Sequence, residues 1–494
     1  MKMKSKYLLI LTIFTLGLAA TACSDWLDVK PKTLVREPDM YDSESGFKDI
    51  VTGFYIMMTN QNLYGKNLTY GWMEMLAQRY DDDVLDGDNR ILQGSPYTYT
   101  GGAKSYVDQS YSSLYNVIAN INKFIESMET YKSSLHTKNY YEIMKAESLG
   151  LRAFLHFDLL RMYGPVYRLN PDAPSISYRT KYDIVPTKLL PAIEVCDSIL
   201  SDLQQAHDIL EEVDPKVFNF PVDQPDMDQF LVLRQLRMNY YATKALMARV
   251  YCYKNDPESK KMALKYAQEV IESPHFSLVE TNASNPVLFG EHIFSLNVFE
   301  LKKLIDPLYN PSNTSGLLQN KKETIEELYE TKGAGTNDFR GKEQGFVSKG
   351  QVRILNKFNQ DAYSGNYSGK DIVPLIRLAE MYYIAAECTE SAAESAEYLN
   401  TIRQKRGIPS SDLLVGSPQW DRLDTRINFD NTKTMRVNEI MREYQKEFFG
   451  EGQLFFFYKR HNYRTFFNAP QDVDIRQYYV MPTHNDELSF GSND

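Results

Sequence analysis

Two kinds of residue in this 494-residue chain could do chemistry: scattered carboxylates, and a heavy load of tyrosine and phenylalanine. Cleaving a glycosidic bond takes two carboxyl groups about 5 to 10 Å apart in a cleft, and Glu291 with Asp306 is a pair that could serve. The run Asp81-Asp82-Asp83, with Asp86 and Asp88, could hold calcium. An EF-hand loop, however, needs an oxygen ligand where Val84 stands and a glutamate to close it, so a solvated acidic turn is expected. There are 7 His and no H-E-x-x-H, G-x-S-x-G or phosphate loop, so no catalytic residue, metal or cofactor is assigned. The aromatic reserve is 35 Tyr and 25 Phe against only 3 Trp. A tyrosine offers a flat apolar face and a hydroxyl, which suits stacking on sugars or peptides, although most of these residues are expected to pack helices. Cys196, Cys252 and Cys388 lie far apart in helix-like segments without C-x-x-C spacing, as buried small hydrophobes do. The chemistry on offer is binding, not catalysis.

The elements that must position these residues are mostly helical. With 43% hydrophobic and 24% charged side chains the chain has an ordinary globular balance, and a net charge of -10 makes nucleic acid an unsuitable partner. Apolar residues recur every three or four positions over Tyr106–Met128, Tyr140–Tyr163 and Leu189–Leu210, which predicts amphipathic helices. Gly164-Pro165 stops the second of these. Asn239–Tyr253 and Lys260–Glu272 carry alanines on one face and flank Asn255-Asp256-Pro257, a tetratricopeptide-like pair. A second pair is predicted at Leu375–Glu390 and Ala392–Lys405, and a last helix at Met435–Phe449. Between them run Asp81–Ser105, Val213–Asp228, Phe276–Lys322 and Gly333–Asp371, too aromatic for disorder and read as ordered loops that carry the ligand site.

The N-terminus has its own logic. Lys2, Lys4 and Lys6 precede an apolar stretch, Tyr7–Ala20, that is too short to span a bilayer. Ala20-Thr21-Ala22-Cys23 then resembles the lipobox of bacterial lipoproteins. Residues 1–22 are therefore expected to be a cleaved signal peptide, and Cys23 the acylated (palmitate-bearing) first residue of a 23–38 tether.

Several stretches resemble the SusD/RagB outer-membrane lipoproteins of the Bacteroidetes. Cys23–Pro31 is similar to their mature start, Lys145–Gly164 to their most recognisable helix, and Tyr241–Tyr253 to their alanine-rich helix. Asp338-Phe339-Arg340, Lys357-Phe358, Ile376–Glu387, Leu399–Gly407, Ile440–Gly452, Tyr458-Lys459-Arg460, then Pro482 and Glu487 follow in family order. The resemblance covers essentially the whole mature chain. It implies a mainly α, right-handed body at 39–494 with tetratricopeptide-like pairs and long ordered loops, its N-terminal part at about 39–275 and its SusD/RagB part at about 276–494.

It also implies a function: a surface-exposed protein, held by Cys23 in the outer membrane, that passes glycans to a TonB-dependent, SusC-like transporter. Peptides or glycoconjugates are the alternative cargo, and an anchored glycoside hydrolase or a periplasm-facing scaffold are the competing readings. The family's ligand regions correspond here to Asn89–Ser105 and Phe294–Leu318, which offer Asn89, Arg90, Gln93, Tyr97 and Tyr99, then Asn297, Phe299 and Tyr309. Starch-binding members carry tryptophans in these loops and this chain has none there, which disfavours a helical starch-like ligand. The same tyrosines could instead pin the loops to the body. Glu380, Arg403, Arg442, Glu443 and Glu451, shared across the motifs, are expected to cap helices or pair across hairpins.

Overall fold

The computed structural model describes residues 37–89, 96–218, 228–280, 286–362, 369–414, 433–470 and 472–483. The leader, Cys23, most of the tether, Arg90, Gln93 and Glu487 lie outside the described residues.

Helix α1 (Glu44–Met58) follows a single turn at Glu37–Met40 and was missed by the sequence reading. Its own residues explain it: Ser43 caps it by accepting from Gly46 N at 3.2 Å, and Phe47, Val51, Phe54, Tyr55 and Met58 fall on one buried face. Short α2 (Trp72–Leu76) leads to α3 (Gly101–Thr130) and α4 (Tyr140–Tyr163). From Ala146 to Tyr163 every α4 residue is buried, so this helix is hydrophobic on all sides except where charges are paired. Arg152 grips Asp202 at 2.7 Å, and Arg234 reaches Glu147.

Helices α5 (Ala192–Val213), α6 (Tyr240–Lys254) and α7 (Pro257–Ile271) continue the row. The α6–α7 pair is fixed locally. Asn255 takes the left-handed C-cap conformation (φ 63), Pro257 opens α7, and Asp256 accepts from Ser259 N at 2.9 Å. Ala242, Ala245, Ala248, Ala263 and Ala267 are all fully buried. Each of α3 to α7 packs on the next, and α7 then packs on α10 (Leu378–Cys388), which pairs with α11 (Ala392–Lys405).

The jump from α7 to α10 is made by strands the sequence reading did not contain. β3 (His292–Asn297) pairs antiparallel with β7 (Ile372–Arg377). The predicted helix Leu375–Glu390 is thus corrected: Leu375-Ile376-Arg377 end a strand, and the helix starts at Leu378. A run buried on both faces has no period to separate strand from helix. Likewise Leu190-Pro191 form β2, paired with β1 (Pro174–Ile176), before α5. The segment that β3 and β7 enclose contains α8 (Leu301–Tyr309), α9 (Lys322–Leu328) and the sheet β4 (Gln319–Lys321), β6 (Val352–Leu355), β5 (Phe346–Lys349). α12 (Met435–Glu447) and α13 (Leu454–His461) follow, and one cluster of buried side chains runs from Tyr41 to Met481.

The motif charges pair between elements, as Arg403 does with Glu443 at 3.3 Å, and many of them lie buried in a connected network. Arg377 binds Glu291 (3.0 Å), Glu447 (2.7 Å) and Glu451 (2.7 Å). Arg406 joins Glu291 and Glu447 at 2.9 Å each, and Arg340 joins Glu447 (2.9 Å), Glu443 (3.2 Å) and Asp338 (2.7 Å). Burial works to raise the Glu447 carboxyl, but Arg406, Arg377 and Arg340 outweigh it and hold that group well below the ordinary carboxylate range. The Gly450–Gly452 turn after α12 is clamped by buried Glu74, which accepts from both amides at 2.9 and 2.8 Å. Both glycines have positive φ (82 and 68), the region a side chain avoids. Lys459 donates to the carbonyls of Arg161 and Gly164 at 2.7 Å, capping the C-terminus of α4. These motifs build the scaffold.

Candidate functional site

The long loops that hold the two predicted ligand regions touch. Asp86 accepts from Gly316 N at 2.9 Å, Asn89 donates to the Gly316 carbonyl at 2.8 Å, and Gln319 donates to the Val84 carbonyl at 2.5 Å. Asp81 accepts from Lys321 N at 2.7 Å, and Asp83 pairs with Lys321 Nζ at 2.6 Å. The acidic turn spends these carboxylates on its neighbours, zipping one loop to the other.

The tyrosines of these loops face inward. Tyr97 and Tyr99 are 5% and 9% exposed, and their hydroxyls donate to the carbonyls of Leu76 and Tyr478. Tyr309 is buried, bonding Tyr80 through the hydroxyls at 2.7 Å and donating to the Tyr70 carbonyl at 2.7 Å. A ring with both faces covered has nothing to stack on a sugar, so these three pin loops to the body. Glu291 is equally closed. It sits between Arg377 and Arg406 and accepts from Val279 N, while burial lifts its carboxyl above the ordinary value against both arginines. Asp306 is part-exposed and paired with Lys302 at 3.0 Å, so the pair does not form a hydrolytic cleft.

Asn297 and Phe299 are placed differently. Asn297 ends β3 and lines an open groove of about 300 Å³, at the lower end of small-molecule site volumes. Thr52, Tyr55 and Ile56 of α1 form one wall; Gln229, Val232, Leu233, Leu236 and Arg237 form another. Tyr55 donates to Glu147 at 2.9 Å and accepts from Met238 N at 2.9 Å, so its hydroxyl is fixed. Arg237 Nε donates to Glu147 at 3.1 Å, and its guanidinium lies 3.9 Å over the Phe230 ring. Its buried Nη2 has no acceptor among the described residues. Two residues beyond Asn297, Phe299 is 83% exposed, and Ile56 is 65% exposed. Two much smaller pockets, of about 30 and 40 Å³, are lined by buried charged residues such as Arg340, Glu447, Arg249 and Glu380 and belong to the scaffold.

Gln229, Arg237 and Thr52 escaped the sequence reading. The helical spacing of Phe47, Val51, Phe54 and Met58 could have found α1 and with it Thr52. Nothing local marks Gln229 or Arg237, which reach the groove from a segment with only isolated turns.

No helix among the described residues is long and apolar enough to cross a membrane. Comparison with known proteins bears on the whole chain. Residues 25–221 match the family described as "Starch-binding associating with outer membrane", and residues 289–487 match the SusD family. The SusD-like protein P25 of Formosa agariphila is 21% identical over 431 residues, 78% of this chain and 79% of that one. A crystal structure of a SusD superfamily protein from Bacteroides thetaiotaomicron superposes with a TM-score of 0.68 at 18% identity, covering 90% of this chain and 98% of that one. A SusD-like carbohydrate binding protein from Bacteroides vulgatus does so with a TM-score of 0.65 at 16% identity, covering 91% and 96%. With the two family matches in tandem and the shared fold, the chain belongs to the SusD/RagB family.

Proposed function

We propose that this protein is a cell-surface glycan receptor, lipid-anchored through Cys23 in the outer membrane. It binds oligosaccharide in the groove beside Asn297 and passes it unaltered to a SusC-like, TonB-dependent transporter. The observation that carries the site is the groove itself. The planar amides of Gln229 and Asn297 and the guanidinium of Arg237 line one open surface, with the bare ring of Phe299 two residues from Asn297. Planar groups bond pairs of sugar hydroxyls, and an exposed ring packs on the C–H face of a pyranose. Asn89 joins this reading as a loop-positioning residue, while Arg90 and Gln93 remain proposed contacts. A helical starch ligand is disfavoured, because the loops carry no tryptophan and Trp72 is core.

A glycan array on the purified chain identifies the ligand, and calorimetry then measures it. Asn297→Ala and Gln229→Ala are each expected to weaken binding about fivefold to tenfold, the worth of one or two neutral hydrogen bonds, with unchanged Tm. Glycan binding indifferent to both substitutions would remove the groove from the proposal. Failure of every glycan on the array would remove the substrate class.

A further inference from the structure

We propose that the loop at 179–188 is a second membrane contact, whose apolar tip seats in the lipid surface to which Cys23 tethers the chain. The inference rests in part on the lipid-anchor reading above.

The tip exposes apolar side chains to an unusual degree. Ile184 is 100% exposed, Val185 60% and Tyr182 51%. It is also held rigidly in that pose. Arg179 Nη1 donates to the Val185 carbonyl at 2.6 Å and to Thr187 Oγ1 at 3.0 Å. Arg179 Nη2 donates to the Asp183 carbonyl at 2.9 Å and to its carboxylate at 2.6 Å. Asp183 accepts in turn from Val185 N at 3.1 Å, and Tyr182 N donates to Glu126 at 3.0 Å. A guanidinium thus holds an apolar tip out in water, where collapse would have hidden it.

Charge and position point to lipid. Lys181 and Lys188 are exposed on the loop, and Lys123 Nζ lies 5.0 Å from the Tyr182 ring centroid. Counting Arg179, the tip carries four cationic side chains against Asp183 and Glu126, in a protein of net charge -10. An apolar tip with a tyrosine and flanking lysines is the composition that seats in an anionic headgroup layer. The loop also lies at the end of the molecule where the tether joins it. Tyr41 stacks on Tyr131 at 5.1 Å, and Glu44 accepts from Thr137 Oγ1 at 2.7 Å. Glu126, which holds Tyr182, is only about 7.5 Å along the α3 axis from Tyr131. One anchoring point cannot by itself fix how a body is oriented about it. A second contact can.

The test uses the full chain reconstituted into phosphatidylethanolamine–phosphatidylglycerol vesicles. Cys196, Cys252 and Cys388 are buried, so Ile184→Cys introduces a reactive thiol for a polarity-sensitive fluorophore, and the parent chain labelled alike gives the background from Cys23. Val480→Cys is the reference site: it follows Tyr478, whose carbonyl holds Tyr99 beside the start of α3, about 45 Å from that helix's other end. The 184 probe is expected to shift to the blue on reconstitution, with iodide quenching at least about fivefold weaker than at 480 and strong quenching by doxyl lipids. Equal iodide quenching at the two sites overturns the proposal. So does shielding of 184 that appears only when a barrel partner is added, which would make the tip a protein contact. Acylation is read separately, from the mass of the N-terminal peptide, so failure of the anchor and failure of the loop give different results.

Discussion

Glu447→Ala is expected to cost about 3–5 kcal/mol of folding stability, read as a lower urea midpoint with an unchanged slope. Glu447 is fully buried and touches three arginines: Arg340 from the loop before β5, Arg377 from the end of β7, and Arg406 at the end of α11. Removing it leaves those guanidiniums enclosed with too few acceptors, and a buried unpaired charge is among the costliest defects a fold can carry. Glu447→Gln keeps one acceptor oxygen and is expected to fall between parent and alanine. The carboxyl is held below its ordinary range, so its contribution is present above the unfolded value and lost as pH falls through the depressed one. The deficit of the alanine variant should accordingly shrink in strong acid. A loss under about 1 kcal/mol at pH 7 would show that the network relaxes freely and is not what joins α11, α12 and β7.

Glu439→Gln is expected to do the opposite and stabilise the protein at alkaline pH. Glu439 lies on α12 near Arg403, whose Nη1 is 3.8 Å away, yet among the described residues neither carboxylate oxygen has a hydrogen-bond partner. Burial pushes its carboxyl up to about 7, against the pull of Arg442 and Arg403. A value raised above the unfolded one means that protonation stabilises the fold. That stability is complete below the ordinary carboxylate value and is lost as pH rises through about 7. Glutamine is neutral throughout and escapes the loss. The variant should match the parent near pH 4 and exceed it by about 2–3 kcal/mol at pH 8. Parallel stability–pH curves for variant and parent would refute the assignment.

These two carboxylates lie eight residues apart on the same helix, each followed by two apolar residues. What separates them is long-range. Glu447 finds Arg377 and Arg340 across 70 and 107 positions, whereas Glu439 finds no donor within bonding distance among the described residues. The ligand loops repeat the lesson. Asn297 and Tyr309 were equally good candidates by chemistry, but one lines an open groove and the other is sealed under Tyr70 and Tyr80.

The sequence by itself determined the elements whose signals are local. Helix α11 stands at the predicted bounds because its buried residues recur every three or four positions, and helix α4, buried on all sides over most of its length, ends where the Gly164 stop is written in the chain. The order of the family motifs likewise needed no coordinates. Only the tertiary structure decided which aromatics are covered, which of two similar carboxylates is paired, and that residues 372–377 form a strand. Each of these depends on what distant segment packs against the residue, and burial on all sides erases the periodicity that a local reading relies on.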